Sequence, residues 1–282
     1  MLKNLFKPKE TERKQAIPGF YSASVGLVSV ESKETAFILE KIPHMQRIYI
    51  QNNRSLYSDD DEQELKSSLS AILFKFRLTN YALLQVWSIR DNKTKEFLYN
   101  NFANSSKSFD CTNDEQFLYS ALLEQFLFQG RAFLDFYMIY IILLLKVDDR
   151  GYVNKKKFEK LLQSAQPPFD SKASTALKYF QENVFGEEVD RGVVQANWGS
   201  LLKSLRDKIA HRDMIKHAFK SDESLFDGTP IDLPTIRDLT YDRFCQNMHN
   251  GMFFLFTELL PLLYDLEWKA GKYQDGMWET SE

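Results

Sequence analysis

Residues 195–217 read QANWGSLLKSLRDKIAHRDMIKH. Trp198, Leu201, Leu202, Leu205, Ile209 and Ala210 recur at helical spacing, which predicts an amphipathic helix over 194–215. Arg206 and Asp207 sit within it, and His211 follows the arginine by five positions. A guanidinium offers a planar fork of donors that fits a phosphate. An imidazole exchanges its proton near neutral pH. Together they suit phosphodiester cleavage without a metal. Asp207 and His211 are four apart and share a helix face, so a hydrogen bond between them would fix the imidazole tautomer. Arg206 lies about 140° round the helix from His211. For the two to converge, the arginine must bend, the helix must end near His211, or a two-fold dimer must bring Arg206 of one copy to His211 of the other.

Arg206-Asp207-Lys208-Ile209-Ala210-His211 resembles the signature of the HEPN superfamily: an arginine, a polar residue, three variable positions and a histidine. The resemblance implies a mainly α fold, a compact helical bundle. It also implies a metal-independent endoribonuclease acting as a homodimer, with two motifs facing one cleft. Carried over, Arg206 would steady the scissile phosphate, His211 would handle the 2′-OH proton, and Asp207 would orient His211. Products would be a 2′,3′-cyclic phosphate and a 5′-OH end. No cofactor is implied. Such proteins are associated with toxin, defence and stress roles, some with a cognate protein inhibitor; others keep the fold and only bind a nucleotide, RNA or a protein.

The motif is short, and a second match overlaps it: Arg212-Asp213-Met214-Ile215-Lys216-His217. Arg212 and His217 are therefore accessory candidates. Arg206 and His211 are preferred because an apolar helical run leads into them and small Ala210 permits close approach. A looser pair, Arg243 and His249, has Phe244 after the arginine. The plainer reading is a solvated helix end, where Lys208, His211, Arg212 and Lys216 complement the helix dipole.

The 282 residues carry a net charge of −3, with 44% hydrophobic and 27% charged residues, an ordinary globular composition. That balance argues against a polyanion-binding coat over the whole surface, while a local basic cleft of Lys203, Arg206, Lys208, Arg212 and Lys216 remains open. The two cysteines, Cys111 and Cys245, have no metal spacing, and a reducing, cytoplasmic setting is the default expectation. No signal-peptide core follows the charged N-terminal residues. Phe133–Leu145 is almost wholly apolar but too short to span a bilayer, so it reads as a buried bundle helix and no membrane partner is expected.

Along the chain, alternating β-branched and aromatic residues in FYSASVGLVSV (20–30) and MQRIYIQ (45–51) predict short strands. The expected layout is a strand-bearing N-terminal extension over 1–57, a HEPN-like bundle over 58–270 and a polar tail over 271–282. Long helices are expected near 62–90, 114–146, 194–215 and 240–268. Ser58-Asp59-Asp60-Asp61-Glu62 reads as a helix start rather than a cation site. In the second long helix Glu124, Arg131 and Asp135 form a polar stripe. Arg131 and Asp135, four apart, either line a cleft opposite His211 or form an ordinary solvent-face pair. Asp148–Asn154 fails as a calcium loop, because lysines fall where carboxylates are needed; Asn154 reads instead as the cap of a helix through Leu162. Residues 100–113 and 221–234 read as loops, and Pro261 should kink the last helix.

No phosphate loop, HExxH, CxxC or serine elbow occurs. Spacing does not support a metal site from His211, His217 and His249. His44 reads as a loop or strand-edge residue, and His249 either lines the cleft or is a hydrogen-bonded interior histidine. Three function classes follow: a ribonuclease, a non-catalytic helical binding module, and a structural protein whose motif is only a helix end.

Overall fold

Helix α1 (Lys33–Asn52) buries Ile38, Ile42, Met45 and Tyr49, a four-three-four spacing that marks one helical face. A computed structural model describes residues 33–104, 113–147, 153–186, 197–211, 218–221, 232–236, 239–266, 273–274 and 277–278. The strand expected at 45–51 is the C-terminal half of α1. Its alternation is local. Over a longer window the buried positions keep the helical period, and buried Gln46 donates to Leu65 O at 3.0 Å and to Tyr140 Oη at 3.0 Å. His44 is accordingly an exposed helix residue. The strand expected at 20–30 lies outside the described residues.

After a 3-10 turn at Arg54–Leu56, α2 runs from Asp59 to Asn104, well past the expected end at 90. At about 1.5 Å per residue it is roughly 70 Å long. Its start is a capping box. Ser58 Oγ accepts the Asp61 N–H at 3.1 Å, and the Asp61 carboxylate accepts the Ser58 N–H at 2.8 Å. Arg54 pairs with Asp59 and Glu62, and Lys146 with Asp61 at 2.9 Å, so the acidic run is spent on helix initiation and ion pairs.

Helix α3 (Asn113–Leu144) packs antiparallel to α2. Lys75 meets Gln129 at 2.9 Å, while Leu65 and Tyr140 share Gln46. The span Phe117–Leu144 is long and apolar enough to cross a bilayer, yet 61% of its apolar window is buried inside the protein. Phe76 of α2, Phe133 and Tyr137 of α3 and Phe256 of the last helix form the aromatic centre, with ring centroids 5.2–6.0 Å apart across helices.

Asn154 caps α4 (Lys155–Gln163) by accepting the Lys157 N–H at 3.0 Å, as its position predicts. Helix α5 (Asp170–Asn183) packs on α4, with Phe158 and Phe180 edge to face at 4.8 Å. Helix α6 (Trp198–His211) carries the motif and lies across α3. Part of the loop expected at 221–234 is instead strand. Chain β1 (Ala218–Ser221) pairs antiparallel with β2 (Asp232–Ile236), which pairs with β3 (Leu239–Thr240). The ladder satisfies backbone groups that a surface crossing would leave to water. The polar tail carries a short ladder too, β4 (Tyr273–Gln274) with β5 (Met277–Trp278).

Helix α7 (Tyr241–Phe254) opens into a π-helical turn at Leu255–Leu259 before α8 (Leu260–Leu263). The expected disturbance at Pro261 thus takes the form of a widened turn just before it. Pro261 has no N–H to give the carbonyl four residues back. The Leu260 N–H closes on Leu255 O, which also accepts the Tyr137 hydroxyl at 2.6 Å.

Close approach of α6, α3 and α7 requires glycine. A Cβ at Gly251 of α7 would stand 2.6 Å from the Trp198 indole, and one at Gly130 of α3 would stand 2.7 Å from Met252 Cε. The indole is rigid and buried, whereas the methionine tip can swing. Gly251→Ala is expected to cost about 2 kcal/mol and Gly130→Ala less than about 1 kcal/mol, since overpacking outweighs the helix propensity gained only at the first site. Thermal unfolding of both variants checks the order; a larger loss at Gly130 would contradict it.

Candidate functional site

Trp198, Leu201 and Leu202 bury one side of α6. In the α3/α6 interface a Cβ on Gly199 would touch Leu134, and one on Gly130 would touch Leu202. The two helices are therefore antiparallel, and the C-terminal half of α6 runs along residues before Gly130 of α3. Arg206 and Asp207 lie on that half, and Lys203 one turn before Arg206 is exposed.

The Arg206 side chain is 25% exposed, and its Nη1 meets Asp207 Oδ1 at 2.9 Å. Asp207, expected to orient His211, is thus engaged by Arg206. His211 is the last described residue of α6, and its side chain lies outside the described set, as do Arg212 and His217. So does the expected continuation of the helix to 215.

On α3, Arg131 Nη2 meets Asp135 Oδ1 at 2.5 Å. Arg131 is only 3% exposed, so the pair is not an ordinary solvent-face ion pair. Burial pushes the Asp135 carboxyl up from its usual range, even though Arg131, Arg206 and Lys203 each pull it down. The structure thus brings the α3 pair into the electrostatic field of the α6 cations, which joins four of the sequence candidates at one helix junction. Arg131 Nε is buried with no hydrogen-bond partner among the described residues. The burial of Arg131 was readable in principle: Leu127, Leu134 and Met138 at i−4, i+3 and i+7 are all apolar.

His249 lies away from this junction, in the core. Its ring stacks on Phe76 with centroids 4.6 Å apart, and Nε2 has no hydrogen-bond partner among the described residues. Arg243, on the same helix, is exposed, so the looser Arg243/His249 pair does not form a site. Desolvation lowers the His249 pKa to about 4. The imidazole therefore stays neutral in the fold while the unfolded chain protonates near 6.5. Its contribution is complete above that value and is lost as pH falls towards 4. Between pH 7 and 4 this one group should remove about 3 kcal/mol of stability. Denaturant unfolding across that range checks it, with His249→Phe expected to flatten the profile.

At the opposite end of the bundle, Lys172 donates to Leu263 O at 2.7 Å and Tyr49 Oη at 3.2 Å, and pairs with Asp265 at 2.6 Å. Tyr140 and Tyr264 share a short hydroxyl contact. This network ties α1, α3, α5 and α8 together. Its members are scattered in sequence, and nothing in their spacing announces it. Cys245 is buried and forms no disulfide among the described residues; Cys111 lies outside them. No three His, Cys, Asp or Glu side chains converge among the described residues. The chain matches no protein-family model, and no curated protein or solved structure is similar to it.

Proposed function

We propose that the chain is a HEPN-like metal-independent endoribonuclease whose site is the α3/α6 junction. The observation that carries this is the partly exposed Arg206 guanidinium on the half of α6 that ends with His211, near enough to α3 for its charge to pull the Asp135 carboxyl down. A partly exposed guanidinium with Lys203 one turn before it is suited to an incoming phosphate. The phosphate would displace Asp207 from Arg206 and leave that carboxylate for His211. In the reaction the 2′-oxygen attacks phosphorus while His211 accepts its proton. The bond to the 5′-oxygen breaks, and that oxygen takes up a proton. Arg206 holds the extra negative charge on the phosphoryl oxygens. A cyclic phosphate and a 5′-OH end result. In a homodimer, two such junctions would share one cleft; a toxin or defence role, a protein inhibitor and a cytoplasmic setting belong to the same reading.

The test is cleavage of structured and unstructured RNAs by purified protein in excess EDTA, with the product ends identified. Metal-independent cleavage leaving cyclic phosphates is expected. A second reading, a helical module that binds RNA, a nucleotide or a protein without cleaving, is favoured by one observation. The nearest acid to Arg206 is its own neighbour Asp207, which already occupies the guanidinium. RNA binding with no cleavage in any preparation would select it.

A further inference from the structure

Arg131 of α3 is held by half of one edge of its fork. Its side chain is 4% exposed, and Nη2 meets Asp135 Oδ1 at 2.5 Å. The Nε–H lies on the same edge of the planar group as an Nη2–H, yet Nε is buried with no hydrogen-bond partner among the described residues. A carboxylate four positions on along the same helix thus meets one donor of an edge that suits two oxygens. A buried N–H left unmet is costly, and in a folded protein it calls for an acceptor. Asp135 is the outer member of the pair, with its side chain 20% exposed. Its charge is weakly held, because burial disfavours the ionised form even against Arg131, Arg206 and Lys203. Asp207 is the other carboxylate, 2.9 Å from Arg206 Nη1. Three cations therefore share two carboxylates, and one positive charge is left over.

We infer that Asp135 is an internal stand-in for a phosphate group, which displaces it from Arg131 and takes both Nε and Nη2. This rests on the reading of the junction as a phosphate site, and it adds to Arg206 a second phosphate-binding guanidinium, covered until the ligand arrives. A phosphate is favoured over a carboxylate ligand. A second carboxylate would only replace the one already present, whereas a phosphate spans the edge with two oxygens and keeps others for the cations of α6. Free phosphate, a terminal phosphate and an internal phosphodiester of RNA all supply that oxygen pair.

The experiment is calorimetric titration at constant ionic strength with inorganic phosphate, then with two 2′-O-methyl oligonucleotides, one bearing a 5′-terminal phosphate and one without it. Asp135→Asn removes the competing charge and leaves an oxygen that the guanidinium can use. It is expected to tighten phosphate binding about 10- to 100-fold, the span of one charge-assisted hydrogen bond. Its thermal midpoint should also rise more steeply with added phosphate than that of the unsubstituted protein. Arg131→Lys combined with Asp135→Asn keeps the change of charge but removes the two-donor edge, and should lose most of the gain. Arg131→Met combined with Asp135→Leu should show no gain. A gain for inorganic phosphate alone identifies a free anion as the ligand, a gain for the phosphorylated strand alone a terminal phosphate, and equal gains for both strands an internal phosphodiester. Unchanged phosphate affinity in folded Asp135→Asn would overturn the inference and leave metal-independent cleavage untouched. So would an equal gain in the Arg131→Lys combination, which would be a general effect of charge. The expected gain in a protein that cleaves no RNA would retain the inference and overturn the nuclease reading.

Discussion

His211→Ala is expected to lower RNA cleavage by about 10²- to 10⁴-fold, the range that a positioned proton acceptor supplies. The thermal midpoint should stay close to that of the unsubstituted protein, because the apolar anchor of α6 is at its other end, around Trp198, Leu201 and Leu202. Retained folding is what makes the loss interpretable. The overlapping motif supplies the internal control, since His217→Ala is prepared identically and follows the same purification. Loss in His211→Ala alone assigns the proton acceptor to the first motif. Loss in His217→Ala alone moves it six positions on. Equal activity in all three preparations would trace the cleavage to a contaminant. Arg206→Ala should resemble His211→Ala in rate but not in pH dependence, because a guanidinium holds its charge throughout the accessible range.

Asp135→Ala should destabilise the fold by about 3–5 kcal/mol, since it strands the Arg131 guanidinium without a counter-charge in the interior. Arg131 is buried and, among the described residues, forms its ion pair with Asp135, whose side chain is 20% exposed. The carboxyl is already unfavourably placed: burial raises its pKa against three neighbouring cations. Removal of the pair as a unit is therefore expected to cost far less than removal of one half. Arg131→Met combined with Asp135→Leu should fall near the unsubstituted protein in stability, as dry replacement of buried pairs often does. The same double variant would separate stability from function, because Arg206 would lose the carboxylate that attracts it across the interface. Denaturant midpoints decide the matter; a change below about 1 kcal/mol for Asp135→Ala would show that water reaches the pair and that the stripe is a solvated surface after all.

Long helices near 62–90, 114–146 and 240–268 could be read from the sequence because each keeps its apolar period over many turns. The cap at Asn154 and the helix start at Ser58 were equally legible, since each depends on a few adjacent residues. Residues 45–51 misled for the opposite reason. Seven residues of alternation satisfy a strand and a helix alike, and only Ile38 and Ile42, upstream of Pro43, resolve the period. Asp232–Ile236 contains a proline and an aspartate and looks like loop; its strand character comes from β1, a tertiary effect. At the junction, the sequence supplied Arg206, Asp207, Arg131 and Asp135 individually. Their meeting depends on Gly130 and Gly199, whose role is to let two helix axes approach, and glycine spacing within separate helices carries no record of which helix will arrive.

The widened turn at Leu255–Leu259 amounts to one residue more than a uniform helix would hold, so every side chain beyond it is rotated by about 100° from where an unbroken helix would put it. Met252 and Gly251 address α3 and α6, whereas Leu263 and Tyr264, past the turn, address Lys172 and Tyr140. One continuous rod thus serves two audiences, facing the motif helix with one half and the tyrosine network with the other. A single-residue deletion there would leave composition almost untouched and turn the terminal half of the rod away from its listeners.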